Sequence, residues 1–250
     1  MYFDAPTGWW LPDVDRDDGH LVDWMTRRGD WADGRLLYQG HKYRRAVELL
    51  EGRHGPERVA VDIGAHVGLW SWQMARDFGA VVAVEPVPEH QECWRANMSG
   101  FEHPDPRFGS PPLAPPAERH RLLPFALGSS ALRVHMRRPP EWPSSGSTMV
   151  DLEAAGGAGP EVSLVSGDDL LGAAFRADLI KIDCEGYELP ILQGLQGVLA
   201  RNRPVLVVEQ KPDRATRFKF AETAAIGWLL ERRYRCAAVI SGDYFMVPAR

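Results

Sequence analysis

An α/β fold with a doubly wound, mostly parallel sheet and an antiparallel hairpin at its C-terminal edge is predicted by three observations. Short apolar runs alternate with helical stretches along the chain, the pattern of βαβ units. Two of those runs, Val59–Ile63 and Leu179–Asp183, pass straight into acids and glycines. The last two, Cys236–Ile240 and Tyr244–Val247, are separated only by Ser241, Gly242 and Asp243. That gap is too short for a parallel crossover and suits a hairpin.

The elements follow in order. Residues 1 to about 40 are polar and acidic yet hold Trp9, Trp10, Trp24 and Trp31, four of the nine tryptophans. Such a segment must pack on something, and residues 1–55 read as an N-terminal extension or lid ahead of a main domain at 56–250. Asp13, Asp15 and Asp17 alternate like the start of a calcium loop, but Asp18 and Trp24 stand where that loop wants Gly and Glu, so a solvated acidic turn is expected. Strand Val59–Ile63, a helix from Gly68 to Phe78, strand Val81–Val84 and a helix from Pro88 to Met98 make the first parallel unit. Six prolines between Gly100 and Pro116 predict an irregular excursion, because proline cannot donate to a ladder and pushes its predecessor out of helix.

Strands are expected at Leu122–Phe125 and Leu132–Met136, then a long flexible loop over the Pro-, Gly- and Ser-rich stretch Pro139–Pro160. The C-terminal third predicts strand Leu179–Asp183, a helix over Glu188–Leu199, strand Val205–Glu209 and a helix over Phe218–Arg232 before the hairpin. The first of these helices carries Ile191, Leu192, Leu195, Val198 and Leu199 on one stripe, with Pro190 in its first turn, where it is tolerated. No internal repeat is visible.

Composition removes several classes. At 250 residues, 44% hydrophobic and 25% charged, the chain has globular values, which disfavours disorder and coiled coil. A net charge of -5 argues against a surface built to neutralise phosphates, so nucleic acid is not favoured as a partner. Cys93, Cys184 and Cys236 are widely spaced without a CxxC pair, which speaks against structural zinc and fits a reducing cytoplasm. No stretch reaches the roughly 18 apolar residues of a membrane span and the N-terminus has no export pattern, so no membrane partner is expected.

Chemistry concentrates in two segments. In Val59 Ala60 Val61 Asp62 Ile63 Gly64 Ala65 His66 Val67 Gly68, glycines after a buried strand let backbone approach a ligand, and the following helix start offers a positive dipole end. Glu85 closes the next strand, where an acid can accept both hydroxyls of a ribose. The G-x-x-x-G spacing differs from the G-x-G-x-x-G of nicotinamide enzymes. In Leu179 Ile180 Lys181 Ile182 Asp183 Cys184 Glu185 Gly186 Tyr187 Glu188, three acids and a glycine sit where a buried strand gives way to a helix, and no packing rule asks for them there.

The paired segments resemble an S-adenosylmethionine-dependent methyltransferase, and more specifically the FkbM-type group of class I enzymes acting on hydroxyls of sugars and natural products. The resemblance rests on Val61 to Leu69, on Val84 Glu85 Pro86 with Asn97, on Ala126 Leu127 Gly128, and most densely on Ile180 to Glu188 with Leu192, Gly194, Pro204 and Glu209. It covers about residues 57 to 250; His66 stands where that family usually carries Asn. It implies a Rossmann-like, seven-stranded sheet and S-adenosyl-L-methionine held by Asp62, Gly64, Ala65, His66, Gly68, Glu85, Pro86 and Ala126. Asp62 would hold the ammonium of the methionine part.

For the transfer step Asp183, at the switch point of the sheet, is the first candidate base, with Glu185 and Glu209 reaching the same crevice. Clustered acids raise one another's pKa unless a cation intervenes. A shared proton, Lys181 or a divalent metal must balance them; Lys181, alternating onto the face of Asp183, is the favoured counter-ion, and a metal on Asp183, Glu185 and Glu209 the less favoured one. His66 is the other base candidate, with loop geometry its favoured role. The expected acceptor is a saccharide or other hydroxylated small molecule. The rivals are a nucleic acid or protein methyltransferase, disfavoured because Asp183 Cys184 Glu185 Gly186 is not an N/D-P-P-Y/F-type loop, and an inactive cofactor-binding scaffold.

Overall fold

The structure, a computed structural model, describes residues 1–26, 30–99, 101, 119–140, 144–152 and 159–249, with backbone alone at Asp17, Asp18, His20 and Trp24. The N-terminal segment forms the hairpin β1 (Tyr2–Asp4) and β2 (Trp9–Leu11), helices α1 (Val14–Asp18) and α2 (His20–Thr26), a two-residue ladder β3 (Trp31–Ala32) with β4 (Arg35–Leu36), and helix α3 (Gly40–Leu49). The first parallel unit follows as β5 (Gly55–Ile63), α4 (Leu69–Asp77), β6 (Phe78–Val84) and α5 (Pro88–Met98). Next come β7 (His120–Leu123), β8 (Ala126–Gly128), β9 (Leu132–Arg137), β10 (Met149–Asp151), β11 (Glu161–Ser166) and α6 (Gly167–Leu171). The last third holds β12 (Leu179–Ile182), α7 (Glu188–Gly194), α8 (Gln196–Asn202), β13 (Val205–Glu209), α9 (Ala224–Glu231), β14 (Tyr234–Ile240) and β15 (Asp243–Pro248).

Seven strands form the central sheet in the order β14-β15-β13-β12-β5-β6-β7. All pairs from β13 to β7 are parallel, and β15 runs antiparallel to both β13 and β14. This is the predicted architecture, a doubly wound sheet with an antiparallel edge. Order reverses between β5 and β12, and the carboxyl ends of those two strands open the crevice where such sheets take ligands. Buried on both faces, the strands read as near-continuous apolar runs such as Val205–Val208.

Side chains alternate between two cores. Leu179, Val205 and Val207 point into one with Trp72, Met74 and Phe78, whereas Ile180, Ile182, Leu206 and Val208 point into the other with Ile191, Leu192 and Leu229. Trp9, Leu11, Leu36 and Leu50 belong to the first core, which explains the tryptophan-rich composition of the N-terminal segment. Trp9 is fully buried and its indole N–H donates to Leu36 O at 2.8 Å. Asn97 holds the same segment from α5. Its Oδ1 accepts from Trp10 N–H at 2.8 Å, and its Nδ2 donates to Trp10 O at 2.9 Å and to Val67 O at 2.8 Å.

Several elements differ from expectation. The predicted strand Leu132–Met136 appears as β9, but in a second, four-stranded sheet of order β10-β9-β11-β8. Its members are too short and too mixed in polarity to announce a separate sheet. The loop expected over Pro139–Pro160 contains, among its described residues, a 3-10 turn at Ser145–Ser147 and strand β10. The single helix expected over Glu188–Leu199 divides at Leu195, and the one expected from Phe218 begins at Ala224 after a 3-10 turn at Ala215–Phe218. Asp15 is not part of a solvated turn: it is 1% exposed. The proline-rich stretch Gly100–Pro116 lies outside the described residues except for Phe101. Among the described residues no helix is long and apolar enough to cross a membrane.

One ion pair ties α3 to the sheet edge. Lys42 Nζ lies 2.9 Å from Asp243 Oδ2, with both side chains almost fully buried. Removing one partner of such a pair strands the other's charge in a medium that solvates it poorly. Lys42→Ala is expected to lower unfolding free energy by about 3–5 kcal/mol, measured by urea denaturation, while Asp243→Asn, which leaves no carboxylate behind in the same place, tests the lysine side of the pair.

Candidate active site at the carboxyl edge of the sheet

Four strand ends, of β5, β6, β12 and β13, bring the chemistry-bearing residues to one edge. Register sets the first contact: Lys181 on β12 lies directly beside Asp62 on β5. Lys181 is 4% exposed and its Nζ donates to Asp183 Oδ2 at 3.0 Å, with the Trp70 ring 5.4 Å away. Burial alone would lower the lysine pKa, but Asp183, Asp62 and Asp243 raise it above the ordinary value, so the ammonium stays charged. Asp62 is fully buried; its Oδ2 accepts from Ser71 Oγ at 2.7 Å, while Oδ1 has no partner. Burial raises its pKa.

Asp183, whose side chain is 23% exposed, forms the centre of the acidic knot. Burial pushes its carboxyl up, but Lys181 and Lys211 outweigh that and hold it well below the usual range. Glu209 lies beside Asp183 and is paired with Lys211. Burial, then the charge of Asp183, drives the Glu209 carboxyl well above its ordinary value. Glu185 is paired with Arg214, and burial followed by Asp183 raises its pKa to about 7. Carboxylate oxygens of Asp183, Glu185 and Glu209 all lie within 4.8 Å of one another, a spacing a divalent cation could bridge. Lys181, Lys211 and Arg214 already face the same three acids.

The third acid of the sequence motif has a different task. Glu188 Oε1 accepts from the N–H groups of Cys184 and Gly186, each at 3.0 Å, and Oε2 accepts from Gln210 Nε2 at 3.1 Å. It is 1% exposed, and burial raises its pKa to about 7. Glu188 therefore closes the turn that aims Asp183 and Glu185.

The glycine turn lies against this knot. Gly64 has φ +74, and a Cβ there would meet Asp183 O at 2.0 Å, so both conformation and space require glycine. Gly68 caps α4 with φ 93 and packs on Trp94. Glu85, 4% exposed, accepts from His66 N–H at 2.8 Å through Oε2 and from Val87 N–H at 2.9 Å and His90 Nδ1 at 3.2 Å through Oε1. Burial would raise its pKa, but His90 and the Val87 amide lower it overall. The His66 imidazole is pushed down to about 4 by burial and by His90, so it is neutral.

Two adjoining cavities open here. The larger, about 570 Å³, is walled by Val84, Glu85, Pro86, Phe125, Ala126 and Ile191 among others. The second, about 550 Å³, is walled by Tyr38, Asp62, Ala65, Trp70, Lys181, Glu209 and Lys211. Gly64, His66, Gly146, Asp183 and Glu185 line both. The structure thus gathers Asp62, Gly64, Ala65, His66, Glu85, Pro86, Ala126, Lys181, Asp183, Glu185 and Glu209 around one paired cavity, and leaves Gly68 behind the wall as a helix cap. Sequence reasoning missed Lys211, Arg214, Tyr38 and Ser145. Lys211 had a signal: it follows Glu209 by the same two-residue step that sets Lys181 beside Asp183. Arg214 lies in the same loop with no such spacing, and Tyr38 and Ser145 come from distant segments.

Comparison with known proteins adds the following. The family model described as the methyltransferase FkbM domain matches residues 62–236. A methyltransferase FkbM from Methylobacillus flagellatus KT is 17% identical with a TM-score of 0.47, covering 76% of this chain. This chain spans only 43% of that protein's length. An O-methyltransferase from Bacillus cereus, solved with SAH, is 13% identical with a TM-score of 0.49, over 95% of this chain and 90% of its own. A putative O-methyltransferase from Klebsiella pneumoniae is 19% identical with a TM-score of 0.44, over 94% and 90%. No curated protein matches the chain.

Gly64→Ala combines a left-handed backbone with a collision against the Asp183 carbonyl. It is expected to cost about 3 kcal/mol or more, read as a lower midpoint in urea denaturation; a midpoint equal to that of the unaltered chain would show that the turn does not press on β12.

Proposed function

The chain belongs to the FkbM methyltransferase domain family, and from that premise we propose that it is an S-adenosylmethionine-dependent O-methyltransferase acting on a hydroxyl of a saccharide or natural-product-like small molecule. The observation that carries the reading is the pair of adjoining cavities, one largely apolar and one edged by charge, that share Gly64, Asp183 and Glu185.

The residues present fit S-adenosylmethionine. The larger cavity offers apolar walls for an adenine ring, with Glu85 at the end of β6 for the ribose hydroxyls. The unpartnered Oδ1 of Asp62, buried beside the second cavity, suits the ammonium of the methionine part, directly or through water. When bound, this cofactor supplies a methyl group activated on sulfur.

The chain's own residues then have three tasks. Gly64 and the α4 start let backbone close on the cofactor, which fixes position, and positioning is a large part of a displacement reaction. Asp183, kept ionised by Lys181 and Lys211, raises the pKa of the neighbouring Glu185 by its charge, and the single O–H of the acceptor is aimed at Glu185. Glu185, with a pKa raised to about 7, is the better match for receiving the hydroxyl proton near neutral pH, since a base works best when its pKa lies close to the working pH. Glu209, paired with Lys211, flanks Asp183 on the far side. Charge in the knot is balanced by Lys181, Lys211 and Arg214, so the reading does not call for a divalent metal. The acidic net charge of the chain, -5, supports a small neutral acceptor over a nucleic acid.

Transfer of labelled methyl from S-adenosylmethionine to fractionated glycans and hydroxylated metabolites tests the reading; no labelled product from any hydroxylated acceptor would count against it. With an acceptor in hand, kcat/KM is expected to rise with pH towards a plateau above about pH 7 as Glu185 ionises. Glu185→Gln should lose about 10²-fold or more in kcat and flatten that rise, and an unchanged profile would remove Glu185 as the base. Turnover is also expected to survive EDTA, and recovery of a chelator-inactivated enzyme by Mg²⁺ would restore the metal alternative.

A further inference from the structure

Three residues from three separate segments meet over the paired cavity. Asp15 stands in α1, Ser145 in the 3-10 turn before β10, and His66 in the glycine turn after β5. Ser145 N–H donates to Asp15 Oδ1 at 3.0 Å and Ser145 Oγ–H donates to Asp15 Oδ2, across 130 residues of sequence. His66 Nε2 lies 2.5 Å from Ser145 Oγ. The serine proton is given to a carboxylate, which only accepts, so the imidazole must donate through Nε2–H. Asp15 and Ser145 are 1% and 0% exposed.

This order differs from a hydrolytic triad. There the acid holds the imidazole and the imidazole activates the hydroxyl; here the hydroxyl sits in the middle, bound on both sides, and is not a nucleophile. What the arrangement does is fix the turn. Thr148 Oγ1 donates to Ser145 O at 2.8 Å, and Thr148 N–H donates to the same carbonyl at 3.2 Å. Ser145, Gly146, Thr148, Met149 and Val150 all line the larger cavity, and Gly146 lines the second as well. Two bonds to a carboxylate away from water are strong and geometrically exact about one partner.

We propose that Asp15 latches the 144–150 segment shut over both cavities, so that methyl-donor entry and by-product release require Ser145 to part from α1. Asp15 is a positioning residue, and the N-terminal segment is the gatepost of the site. The gating role rests on the cofactor reading above; the latch itself does not.

The test compares the full chain with Asp15→Asn, in which one donor of Ser145 faces an amide nitrogen, with Ser145→Ala, and with Asp13→Ala as a control. Asp13 pairs with the N-terminal ammonium and Arg16 on the surface and takes no part in the latch. One readout is amide hydrogen exchange of residues 144–151 without ligand, and the other is the dissociation rate of S-adenosylhomocysteine followed by tryptophan fluorescence. Asp15→Asn and Ser145→Ala should each speed exchange at these amides and raise the dissociation rate about tenfold, with Asp13→Ala unchanged in both. Exchange no faster than in the unaltered chain overturns the latch. Faster exchange with a dissociation rate within twofold overturns the gating. If the unaltered chain binds no S-adenosylhomocysteine, the cofactor reading falls, and exchange alone then decides the latch.

Discussion

A lysine in the middle of a sheet has to be neutralised, and Lys181 is the point from which the rest of the site is arranged. Its ammonium is nearly sealed from water, and an unpaired charge there would be very costly. Register hands it Asp62 on one side, and the strand end hands it Asp183 on the other. Once Asp183 is held ionised by this lysine, its neighbours cannot all be ionised too. Burial and the charge of Asp183 raise the pKa of Glu209 well above its ordinary value and that of Glu185 to about 7.

The second constraint is contact between segments that are far apart in sequence. Asn97 uses one amide to hold both the strand β2 and the glycine turn, and the Lys42–Asp243 pair fastens α3 to the edge hairpin. The N-terminal segment is therefore continuous with one of the two cores. The walls it gives the second cavity, Leu21 and Tyr38, are as well supported as those from the sheet itself.

Much of this was legible in the sequence because parallel strands are buried on both faces and so read as uninterrupted apolar runs, whose ends alone are free to carry polar groups. Asp62, Glu85, Asp183 and Glu209 declared themselves by closing such runs. The three-residue gap before Tyr244 declared the hairpin. What stayed hidden has one physical cause. Asp15 looked like part of a surface turn because nothing local marks a carboxylate whose two donors come from a serine 130 residues away. The second sheet stayed hidden because its strands, of three to six residues, bury little on their own. Glu188 read as a third site acid, yet its oxygens serve two backbone amides and a glutamine, partners that sequence spacing does not reveal.

The separation of the two sheets has a bearing on how this scaffold can diversify. The charge cluster sits on β5, β12 and β13 and the loops that follow β12 and β13, whereas Met136, Met149 and Val150, which shape the larger cavity, hang from β9 and β10. Among the described residues those strands pair with one another and with β11, and β11 with β8. A graft that replaced β9, β10 and the turn between them could recontour the mouth of the enzyme and leave Lys181 and its acids in their original hydrogen-bonding company. Sequence change has the same freedom: cavity shape and the buried charge cluster are carried by different modules.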